Sequence, residues 1–206
     1  MGVSTTYIGH IEIEPPLNAA ERSYLQAFAG SRRCWRRSGP YAVTPSDPEY
    51  TSTDRYNRIA QGQPSLWCQW VPCYRGCCLS WNGTEKFYAG ASWLQYLMDH
   101  FLRPGAEAAS SKARQFSGFT FDHRMDGVIA GRQEDTRELF LLRVDDSRLT
   151  QEVLRPPDPM PWDEWWPGPL GETAADDEPL ARIVAGRDER GAGRAEVAGP
   201  AGQLDG

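Results

Sequence analysis

No stretch of this 206-residue chain sustains the apolar run, about eighteen residues, that a membrane-crossing helix requires. Met1 to His10 also lack the basic start and apolar core of a secretory signal. A cytoplasmic protein without a membrane partner is the expectation. Lysine is nearly absent, represented by Lys86 and Lys112, whereas Gly, Ala, Arg, Asp and Pro abound, a bias that GC-rich bacterial coding produces without structural demand. No phosphate loop, dinucleotide fingerprint, nucleophile elbow or metalloprotease helix occurs, which disfavours an enzyme and predicts no cofactor. The five cysteines are odd in number and without repeating spacing, so reduced thiols are expected in place of a disulfide framework.

What is present supports one domain and a tail. Residues 155–206 hold 11 acids and 5 arginines, leaving 17 groups of each sign in residues 1–154, so the tail carries the whole net charge of −6. A neutral body has no general attraction for polyanions; any such binding needs a local patch. Residues 1–154 read as an α+β domain, 155–170 as a Pro/Trp-rich extension, and 171–206 as a disordered acidic tail with too little apolar surface to offset ordering entropy.

Tyr7 to Glu14 alternates apolar and polar residues as a strand with one buried face, and Pro15-Pro16 stops it. Asn18 and Glu21 have capping-box spacing ahead of Tyr24, Leu25 and Phe28, predicting a helix over about Asn18–Ser31. Ser38–Gln63 collects turn residues and reads as a long loop. Leu66–Val71 and Cys78–Trp81 form a predicted hairpin about Tyr74-Arg75-Gly76. A second helix is expected from Trp93 to Leu102, with Ser92 and Gln95 as its capping box and Pro104-Gly105 as its stop. Phe119–His123 and Val128–Ala130 read as strands joined by an Asp126-Gly127 hairpin turn, and Leu139–Val144 as one more strand. The order β, α, β, β, α, β, β, β suits a ferredoxin-like antiparallel sheet, βαββαβ plus extra hairpin strands, with two helices on one face.

The run Leu79-Ser80-Trp81-Asn82-Gly83-Thr84-Glu85-Lys86-Phe87-Tyr88, followed by a helix carrying Trp93-Leu94, resembles the YubB-type ferredoxin-like domain of plasmid and phage proteins; Glu85 interrupts the Gly-Thr-Lys-like turn. The stretch from Tyr7 to Val144 is also similar to a group of small actinobacterial proteins. The resemblance implies the fold and brings no catalytic residue.

Several clusters carry chemistry. Arg32, Arg33, Arg36 and Arg37 around Trp35 have the guanidinium forks and aromatic face that bind single-stranded nucleic acid; equally, arginines at a helix C-terminus complement its dipole. Cys68, Cys73, Cys77 and Cys78 invite a zinc reading, but no pair has knuckle spacing, and Cys77 and Cys78 on one strand would point to opposite faces, so no metal site is expected. His123 beside Asp122, with Asp126 and Glu134 nearby, offers an acid-base pair, against which stands an ordinary half-buried histidine, as for His10 and His100. Glu85-Lys86 sits where a loop can present it to a ligand or leave it solvated. Trp162, Trp165 and Trp166 lie among prolines and acids and read as a protein-binding motif or as groups docked back on the body. The leading expectation is a non-catalytic binding or regulatory module with a protein partner. Nucleic-acid binding through the arginines comes second, and a small enzyme using Asp122, His123 and Glu85 third.

Overall fold

Strand β1 (Thr5–Glu14) buries Tyr7, Ile11 and Ile13 and exposes Ile8, His10, Glu12 and Glu14, so its alternation becomes one covered and one uncovered face. The computed structural model describes residues 4–43, 56–84, 86–87 and 89–159, all within one compact unit. After β1 come helix α1 (Ala19–Ala29), strands β2 (Trp70–Pro72) and β3 (Cys78–Trp81), helix α2 (Gly90–Leu97), and strands β4 (Arg124–Gln133), β5 (Leu139–Asp145) and β6 (Arg148–Arg155). The predicted order of elements is present through α2, but the three strands that follow are not the three expected.

The strands form one six-stranded sheet in the order β2-β3-β1-β4-β5-β6. Every neighbouring pair is antiparallel. Because β3 is antiparallel to both β1 and β2, those two are parallel, joined through α1 with β3 between them. By the same logic β3 and β4 are parallel, joined through α2, and flank β1.

Asn18 caps α1 as its spacing predicts. Its Oδ1 accepts from the N–H groups of Ala20 (2.8 Å) and Glu21 (3.1 Å), while its own N–H donates to Glu21 Oε2 at 2.8 Å. The second helix departs from expectation. It starts at Gly90, its N-cap Ala89 makes no side-chain bond, and a π-helical turn (Met98–Leu102) carries it to the expected stop. The Ser92–Gln95 box is not used, because Ser92 already lies inside the helix. Tyr24 and Phe28 of α1 and Trp93 and Leu97 of α2 share one core with Ile11, Leu79, Trp70, Ile129 and Leu142 of the sheet. The Phe28 and Trp93 rings meet edge to face at 5.8 Å, so the helices abut over the same sheet face.

Two sequence expectations fail together. Phe119–His123 is not a strand: Phe121 has φ +52° and Phe119 packs its ring 5.4 Å from Tyr24. Asp126-Gly127 is not a turn, since β4 runs unbroken and pairs with β1 from Glu14↔Arg124 to Thr5↔Gln133. A long partner strand outweighs the local turn preference of Asp-Gly. The positive φ of Gly127 (+144°) instead serves close approach: a Cβ there would lie 2.8 Å from the His10 carbonyl oxygen. The true two-residue turn is Asp146-Ser147, with φ +46° and +61°, and it starts β6, a strand absent from the sequence reading.

Candidate functional site

The arginine segment is built largely inward. Arg33 is 1% exposed and lies over the Phe28 ring at 4.2 Å; its Nη2 donates to Ser31 Oγ (2.6 Å) and the Ala42 carbonyl (2.7 Å). Arg36 is also buried and donates to the Arg32 carbonyl at 3.1 Å. Arg32 spans the Tyr56 ring at 4.2 Å and donates to Asn57 Oδ1 at 2.8 Å. Trp35 is half-buried and Arg37 exposed, so the five residues do not share one accessible surface.

His123 is buried as well. Its Nδ1 lies 2.7 Å from the Pro15 carbonyl oxygen, and its Nε2 lies 3.2 Å from Glu21 Oε1 and 3.3 Å from Thr120 Oγ1. Its close carboxylate is thus Glu21, missed in the sequence because 102 positions separate the two, while Asp122 stays 4.0 Å away and mostly solvated. Burial alone would raise the Glu21 carboxyl; hydrogen bonds from the Thr120 and Asn18 backbone, His123 and the Thr120 hydroxyl outweigh it and hold the pKa below its ordinary value. Asp126 pairs with Arg124 at 3.3 Å and Glu134 with Arg132 at 3.6 Å, so neither joins His123. His10 is exposed on β1. His100 stacks on Tyr96 at 3.8 Å, with Tyr41 Oη 2.7 Å and Glu107 3.2 Å from its Nδ1. Burial lowers its pKa, against the opposing pull of Glu107 and Asp99. Glu85, Trp162, Trp165 and Trp166, with the greater part of the extension and the whole tail, lie outside the described residues.

The other sheet face is uncovered among the described residues. Register places Ile8 opposite Ala130, His10 opposite Val128, Ala130 opposite Leu141 and Val128 opposite Arg143. Ile8 is 72% exposed at the middle of this face. Arginines 124, 132 and 143 surround the apolar centre, interleaved with Glu12, Asp126 and Asp145.

One end of this face carries three thiols. The β2–β3 register continues one step past Pro72↔Leu79, with the Cys73 N–H donating to the Cys78 carbonyl at 2.9 Å. The turn is closed by the Gly76 N–H on the Cys73 carbonyl (3.0 Å) and tied to β1 by the Ile13 N–H on the Cys77 carbonyl (2.9 Å). Cys73 and Cys77 sulfurs stand 3.6 Å apart, and all three sulfurs, with Cys78, lie within 4.8 Å of one another. This corrects the expectation that Cys77 and Cys78 point apart. Strand alternation does not govern Cys77, because β3 begins at Cys78 and Cys77 belongs to the turn.

The chain matches no family model, no curated protein and no solved structure.

The thiols differ in character. Burial raises Cys73, but hydrogen bonds from the thiols and backbone of Cys78 and Cys77 outweigh it and bring its pKa down to about 6. Cys78 is pushed up to about 12 by burial and then by its bond to Cys73. Cys68 is fully enclosed in the core and pushed up to about 12 by that burial. A Cys-x-x-x-Cys-Cys run with glycine just before the second cysteine was the available signal, since that glycine lets the turn close.

Proposed function

We propose that this chain is a non-catalytic binding module that docks a protein partner on the uncovered sheet face. The observation that carries this reading is Ile8, a large aliphatic side chain left 72% exposed at the middle of a sheet whose other face carries the core under both helices. Its extent suits such a partner. Six strands of 3 to 10 residues spaced about 4.8 Å apart give on the order of 700 Å², close to the contribution of one partner to a standard interface. Mixed charge about an apolar centre favours a protein over a polyanion.

The ferredoxin-like, YubB-type reading belongs to the same proposal and is supported by the two interlocked strand-helix-strand crossovers over β1, β3, β2 and β4. Nucleic-acid binding is less well supported, because Arg33 and Arg36 are buried and Arg124 and Arg132 are paired with acids. A photo-crosslinking residue placed at Ile8, compared with one at Lys112, tests the reading in source cells. A discrete protein adduct from position 8, abolished by Val128→Glu, is expected. Identical adducts from both positions, or crosslinks to nucleic acid, would overturn it.

A further inference from the structure

We infer that Cys73, Cys77 and Cys78 form a binding site for one closed-shell thiophilic metal ion, zinc(II) or copper(I), at the end of the uncovered sheet face. The inference goes beyond the docking reading and stands independently of it. Three sulfurs set tetrahedrally or trigonally about an ion at about 2.3 Å lie roughly 3.8–4.0 Å from one another. The cluster matches this scale, with 3.6 Å between Cys73 and Cys77 and all three sulfurs within 4.8 Å. Binding asks the Cys73–Cys77 pair to open by a few tenths of an ångström and the cluster to settle within its present span.

The backbone prepares the arrangement before any ion arrives. Cys73 and Cys78 are opposed and hydrogen-bonded across the hairpin, the Gly76 N–H closes the turn, and the Ile13 N–H ties Cys77 to the neighbouring strand. The thiols are therefore held in place by the same bonds that form the sheet, which limits the ordering cost of binding. A disulfide between any two would leave the third sulfur over, whereas a single ion uses all three. Sulfur donors select soft, closed-shell ions over magnesium or calcium. Three thiolates satisfy copper(I) as a trigonal set, and leave the fourth position of a tetrahedral zinc(II) site to water.

The test uses the full-length, reduced protein. Cobalt(II) serves as the spectroscopic stand-in for zinc, reporting thiolate coordination by sulfur-to-metal charge-transfer absorption; zinc(II) is then added to displace it. Copper(I) is titrated separately against a chromogenic chelator. One equivalent bound is expected, with Cys73→Ser, Cys77→Ser and Cys78→Ser each weakening it by about tenfold or more and Cys34→Ser leaving it unchanged. Displacement by zinc assigns the zinc arm; retention of copper(I) alone assigns the copper arm. Should a serine variant fail to fold, alkylation of the wild-type protein decides: the ion must protect three thiols together. Absence of a bound equivalent of either ion, binding that survives all three substitutions, or a Cys73–Cys77 disulfide in protein isolated without reductant would overturn the inference.

Discussion

Glu21 Oε1 lies 3.2 Å from His123 Nε2, and both side chains are closed off from solvent. The pair joins the start of α1 to the segment entering β4. Glu21 also accepts from the Thr120 N–H at 2.7 Å and the Thr120 hydroxyl at 2.9 Å, so its carboxylate fastens the 120–123 segment to α1 at several points. Removing the carboxylate leaves the buried groups it serves without their acceptor, at about 1–3 kcal/mol for each such group. Urea unfolding of Glu21→Ala should show a loss of that size at neutral pH. A loss under about 1 kcal/mol would deny the pair its structural role.

The same carboxylate fixes a direction with pH. Its folded pKa lies below its ordinary value of about 4.3, so its stabilisation is complete above that value and is lost as pH falls through the lower folded pKa. Acid should therefore destabilise the wild-type protein more steeply than Glu21→Gln, whose amide does not titrate there. Unfolding curves taken at successive pH values below about 5 give the comparison. Parallel slopes for the two proteins would contradict the shift.

The parts legible in the sequence are those where local and tertiary preferences agree. Asn18 and Glu21 announce α1 because the capping bonds are made within four residues. Asp126-Gly127 misleads because its local preference for a turn meets a ten-residue partner strand, and the ladder prevails. Strand β6 escapes because it is an edge strand with most of its residues exposed, so it shows little apolar alternation. Arg33 and His123 mislead for one reason: a polar side chain looks available in a sequence until its buried partners, Ser31 with Ala42 and Glu21 with Pro15, are placed around it.

Gly127 tests the crossing of β1 and β4. With φ at +144° and the His10 carbonyl oxygen 2.8 Å from a new Cβ, Gly127→Ala has to shift backbone, since no flexible side chain stands there to move aside. Strain of this kind costs about 1–3 kcal/mol. Thermal melting should fall accordingly, and an unchanged midpoint would show that the two strands can part without penalty.

Arg33 separates structural from binding roles for the arginine segment. Its guanidinium supplies the Ala42 carbonyl and the Ser31 hydroxyl and lies on the Phe28 ring. Arg33→Ala leaves those acceptors without a charged donor, at about 1.5–3 kcal/mol for each bond of this type. Arg33→Lys should recover little, because an ammonium cannot reproduce the planar fork or the stacking. Calorimetric melts of the two variants check this; full rescue by lysine would mean that charge alone matters at this position.

Ile8 should behave in the opposite way. Its side chain is 72% exposed and stands across from Ala130, so it contributes little to the core. Ile8→Thr keeps the β-branch that a strand favours while exchanging a methylene-bearing arm for a hydroxyl, and its effect on stability should stay within about 0.5 kcal/mol. The same change at the centre of a docking surface removes an apolar anchor and costs the complex about 1 kcal/mol or more. Proximity labelling from a tag on the chain, compared between wild type and Ile8→Thr at matched melting temperature, separates the two effects. Weakened capture with intact folding places the partner on this face; a fall in melting temperature of several degrees would instead make Ile8 part of the packed structure.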